Sequence, residues 1–130
     1  MIKTLFLIVF VFLITGCSQE KASLEEVLIE KMSEDKDQQD YNIPPEEMAA
    51  CVLTEIDRQI PGFMFGPGRD KFYAAYKIYL GSNNSKNILN AINASEETFG
   101  SKESARKAFF AVSDHIFLCM GAVMGTAEDE

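Results

Sequence analysis

This chain of 130 residues has one histidine and three cysteines, so few residues in it can do chemistry. His115 follows Ser113 and Asp114. Neighbouring residues on a helix point about 100° apart, so these three diverge and do not form a proton relay. Without a relay there is no hydrolase triad, and His115 reads as a structural or surface histidine. His115 and Cys119 are four apart and share a helical face. If Cys51 approaches them the set becomes Cys2His, with Met48 or Met120 as a softer fourth ligand. Soft sulfur suits Cu(I), and Cys2His suits zinc. The same two sulfurs can instead bond to each other, and the compartment decides between the two uses. The acid pairs Glu46-Glu47, Glu96-Glu97 and Glu128-Asp129 are adjacent rather than facing, which is not a glycosidase arrangement. The chain has no phosphate-cradling glycine loop and no Cys-x-x-Cys. It reads as non-catalytic, with no cofactor.

The compartment is written at the start of the chain. Lys3 precedes ten uninterrupted apolar residues, Leu5 to Ile14, and then come Thr15, Gly16 and Cys17. A charged start, a short apolar run and small residues at its end describe an export signal. Ten helical residues span about 15 Å, half of a hydrocarbon core, so the run reads as a signal rather than a membrane span. Ile14-Thr15-Gly16-Cys17 resembles the lipobox of bacterial lipoprotein precursors. The resemblance implies a diacylglyceryl thioether on Cys17, cleavage before it and acylation of the new amino group. Two or three acyl chains anchor stably where one is marginal. Ser18 stands where an Asp would imply inner-membrane retention, so the resemblance points to the outer membrane, facing the periplasm, in a Gram-negative cell.

With Cys17 lipidated, Cys51 and Cys119 remain as a pair, and an oxidising envelope favours a disulfide between them. Each sits at the border of an apolar helical stripe, and two such helices packed face to face bring those borders together. Removing residues 1–16 leaves 114 residues, enough for one small domain. The formal charge is −8, and loss of Lys3 takes it to −9. An acidic chain of this kind does not suit nucleic acid and gains nothing from anionic lipid. The tether must be the acyl chains, and a basic protein is the electrostatically favoured partner.

The positioning elements read as helices. Residues 17–43 form an acidic tether, with eight acids against three lysines between Glu20 and Asp40. Ser23 and Glu26 make a capping box for a short helix near 24–33, and 33–42 reads as a flexible linker. The helical domain spans 44–125. Pro44-Pro45 opens a helix with the stripe Met48, Ala49, Val52, Leu53, Ile56 and Ile60. Pro61-Gly62 stops it. Phe63, Met64 and Phe65 follow; the preferred reading folds them over the core, and the other makes them a partner contact. Arg69–Leu80 is an aromatic helix, 86–94 a weaker one, and Ser101 caps a last helix near 102–124. Ala105, Phe109, Val112, Ile116, Met120 and Val123 give that helix its stripe, which Phe110, Phe117 and Met124 widen. So broad a stripe predicts the most buried helix of the domain. Residues 126–130 read as an acidic tail.

The expected fold is all-α, a bundle of about four helices with one disulfide. The expected function is that of a membrane-tethered envelope lipoprotein acting through protein contacts, as an accessory, assembly or chaperone-like factor. Two alternatives are an inhibitor or immunity lipoprotein against a cell-wall-attacking enzyme, and a metal- or small-ligand-binding protein of the periplasm. The lipobox makes a direct prediction. Mass spectrometry of the N-terminus should find acylated Cys17, and Cys17→Ala should abolish both the acylation and the processing; an unmodified Cys17 would exclude the anchor.

Overall fold

The computed structural model describes residues 19–62, 66 and 68–128. Residues 1–18, with Cys17, lie outside the described residues, and so do Phe63, Met64 and Phe65. Seven helices and no strand occur among the described residues: α1 Gln19–Glu34, α2 Lys36–Asp40, α3 Pro45–Gln59, α4 Asp70–Leu80, α5 Ser85–Ala94, α6 Glu96–Phe99 and α7 Lys102–Glu128. The all-α class is as expected. The helix count exceeds four because α1, expected as a short helix of the tether, joins the bundle and two short helices, α2 and α6, occupy stretches that read as connections.

The acidic arm is the main correction. Residues 17–43 were expected to extend as a tether, yet α1 packs against both α3 and α4. Leu24, Leu28 and Met32, spaced by four, are buried. Half-buried Val27 and Ile29 flank this stripe against the core, while Glu26 and Glu30 stay exposed on the other side. Counting acids over the whole segment ignored which face carries them. Ser23 is not a cap. It lies inside α1, and its hydroxyl accepts from the Lys77 ammonium at 3.2 Å.

The expected linker also folds. Asp35 caps α2 by accepting the Gln38 N–H at 3.0 Å. Gln38 is buried, with its side-chain amide 3.1 Å from the Met32 sulfur. Asn42, at φ +53°, turns the chain so that the Ile43 N–H reaches the Gln38 carbonyl at 2.9 Å. Asn tolerates this left-handed conformation better than most residues.

α3 matches its predicted stripe: Met48, Ala49, Val52, Leu53, Ile56 and Ile60 are all buried. Pro45 opens it, and Glu46 and Glu47 occupy its positive end. α7 packs against the same helix, which therefore lies between α1 and α7. The aromatic face of α4 is core. The Phe99 ring of α6 meets Phe72 and Tyr76 of α4 edge-on at 5.2 and 5.8 Å. Phe109 of α7 stacks on Tyr79 at 4.6 Å and meets Phe99 at 5.3 Å. Gly100, at φ +90°, makes the turn between α6 and α7, where a side chain would be strained. Ser101 caps α7 as expected, accepting the Ser104 N–H at 3.0 Å.

α7 departs from expectation in two ways. It continues past Gly125 to Glu128, so the expected tail is partly helical. It is also not the most buried helix. Ala105, Phe109, Val112 and Cys119 are buried, but Phe110, Phe117, Leu118 and Met124 are exposed. The domain is only wide enough to cover one side of it.

Docking of α1 is testable. Leu28→Ala should cost about 2–5 kcal/mol in urea denaturation, as for a fully buried leucine. A free tether would leave stability unchanged.

Candidate functional site

Four features can serve a function: the paired sulfurs beside His115, a buried charge cluster, an aromatic-floored groove and the outer face of α7.

Cys51 of α3 and Cys119 of α7 form a disulfide, with Cα atoms 5.8 Å apart. The bridge occupies both sulfurs of the alternative ligand set His115, Cys119 and Cys51. No group of three or more His, Cys, Asp or Glu side chains able to hold a metal is found among the described residues. His115 is buried on the inner face of α7, four residues before Cys119. Its Nε2 is buried with no hydrogen-bond partner among the described residues.

The charge cluster was not legible in advance. Asp57 lies near the C-terminal end of α3, where the helix dipole disfavours a negative charge. Three partners converge on it. The Lys21 ammonium of α1 pairs with one carboxylate oxygen at 2.7 Å. The Tyr73 hydroxyl donates to the other at 2.6 Å, and the Arg69 guanidinium approaches that same oxygen at 3.3 Å. Arg69 also donates to the backbone carbonyls of Asp57 at 2.9 Å and Ile60 at 3.3 Å, which closes the end of α3. Burial pushes the Asp57 carboxyl upward, but the bonds from Lys21, Tyr73 and Arg69 outweigh it and hold the group below its ordinary value. Burial, together with its bond to Asp57, raises Tyr73. All four residues are engaged with one another across α1, α3 and α4, and this cluster is a clamp. Arg69 and Asp57 are 12 residues apart on either side of a Pro-Gly turn, and no short motif marks the pair.

The groove, of about 530 Å³, lies between α4, α6 and α7. Phe72, Tyr76 and Phe99 line it, with Ser104 and Lys107 also in its wall. Pro61 borders it as well.

The outer face of α7 is the largest departure from a closed core. Phe117 is 81% exposed, Leu118 58% and Phe110 52%. An added Cβ at Gly121 or Gly125 would meet nothing within 4 Å, so the helix surface is open there. Lys102–Gly125 is long and apolar enough to cross a membrane. Its inner face is bonded and packed to α3, so α7 is here a helix of the folded domain.

No family model, no curated protein and no solved structure matches the chain.

Two outcomes follow for stability. Asp57 has a lowered pKa, so its contribution is present above the unfolded-state value, about 3.9, and is lost as pH falls through the folded value. Burial pushes Tyr76 up to about 12, so its contribution is present below pH 10 and is lost as pH rises toward 12. Urea midpoints against pH should fall at both ends, and Asp57→Asn should flatten the acid limb. Breaking the bridge, with its separation of 68 residues, should cost about 2–5 kcal/mol. Cys51→Ser and Cys119→Ser should be equally harmful and the double variant little worse, because either change removes the whole bond.

Proposed function

We propose that this chain is a membrane-tethered envelope lipoprotein, anchored through Cys17 and acting through protein contacts rather than catalysis. The observation that carries the contact is the exposed apolar face of α7, with Phe110, Phe117, Leu118 and Met124. Several large apolar side chains left exposed on a helix whose other side is core mark an interaction site. Two sequence features support the envelope. Ile14-Thr15-Gly16-Cys17 resembles a lipobox, and the Cys51–Cys119 bridge suits an oxidising compartment. Phe63, Met64 and Phe65 remain a second proposed contact.

Replacing Phe117 and Leu118 with Ser tests the reading. Exposed positions change stability by only about 0.5 kcal/mol each, so thermal melting should stay within a few degrees of wild type. Chemical crosslinking in intact envelopes should lose the adducts that wild type forms. Unchanged adducts would remove this face from the function.

A small-ligand reading is favoured by the groove alone. An amphipathic carboxylate probe should quench tyrosine emission if the groove binds it, and Lys107→Glu should abolish the effect. Absence of quenching by such probes would discard this reading.

A further inference from the structure

We propose that the outer face of α7 pairs with the same face of a second copy, the two helices running antiparallel about a two-fold axis at Phe117. The proposal rests on reading this face as a protein contact and names the partner.

The face lies directly opposite the buried stripe of Ala105, Val112 and Cys119. Along it run Arg106, Phe110, Phe117, Gly121 and Met124, at spacings of three, four and seven. A two-fold axis at residue 117 sets each position against the one equally far on the other side. Phe117 then meets its own copy. Phe110 meets Met124, so exposed apolar positions fall against exposed apolar ones. This is the self-complementarity that an isologous contact requires. Gly121, open in the single chain, lets the partner backbone come close.

The size is adequate. Phe110, Phe117, Leu118 and Met124 together offer about 400 Å² of apolar surface. Non-obligate interfaces bury about 800 Å² per partner, just over half of it apolar. The polar flanks of two helices paired over about 33 Å supply the remainder.

A bilayer suits this face less well. Asp114 is exposed between Phe110 and Phe117, so insertion would bury a carboxylate in lipid. In the pair it falls against position 120 of the second copy, beside Gly121, where the missing side chain leaves room for water. The formal charge of −8 also opposes attraction to anionic lipid.

The test places a photoreactive benzophenone residue at position 117 of the full-length chain in native envelopes. The expected product has twice the monomer mass and contains peptides of this chain only. The same probe at Glu47, exposed on α3 and away from this face, should give none. Phe110→Arg should lower the yield at position 117 several-fold, and adding Met124→Glu, its opposite position, should restore it. An adduct with a different protein overturns the pairing but leaves the contact reading standing. No protein adduct, or one confined to lipid, overturns both. Equal yields at positions 47 and 117 also overturn the pairing. Acylation of Cys17, read in the same sample, tests the anchor separately.

Discussion

A single buried carboxylate, Asp57, holds the three helices that would otherwise be hardest to join. It sits where the dipole of α3 is unfavourable to it. Left alone there, a charge away from water would cost several kcal/mol or neutralise. Lys21 from α1, with Arg69 and Tyr73 from the α4 end, turn that cost into a three-way attachment. Arg69 does double service, because it also takes up carbonyls that the end of α3 leaves unsatisfied. The direction the chain takes after Pro61-Gly62 is therefore fixed by a polar interaction at the edge of an otherwise apolar core.

The other side of the molecule is held differently. α7 is joined to α3 by the Cys51–Cys119 bond and by apolar packing, and to α4 and α6 by Phe109 among the rings of Tyr76, Tyr79 and Phe99. With α3 in the middle, every long helix but α5 is attached through a specific side-chain contact. α5 carries the weakest stripe, with only Ala91 and Ile92 buried and Leu89 left exposed.

How far the sequence could be read depended on whether one helix face or a segment average carried the signal. The stripe of α3 was legible residue by residue because its apolar positions recur without exceptions. The disulfide was legible because reading the chain as exported, with Cys17 lipidated, leaves only two thiols to pair. α1 was misread because eight acids dominate its composition, while Leu24, Leu28 and Met32 decide its burial. For α7 the stripe was correct and its width misleading. Phe110 and Phe117 are as apolar as Phe109, and nothing in the pattern says that the domain ends before reaching them. The Asp57 cluster was illegible because its members are spread over 53 sequence positions, from Lys21 to Tyr73, and meet only after the helices pack.

The covalent loop runs from Cys51 to Cys119, and α1 lies wholly outside it. That placement sets an order of mechanical failure. A pull entering the domain from its N-terminal side loads α1 first, through Lys21 against Asp57 and Lys77 against Glu20. These contacts must give way before α1 can peel from α3 and α4 and uncover the core face of Leu24, Leu28 and Met32. Force passing further along the chain meets Cys51 and crosses to Cys119 through the sulfurs, bypassing the 67 residues between them. The molecule is thus built with a sacrificial outer helix and a covalently shielded interior.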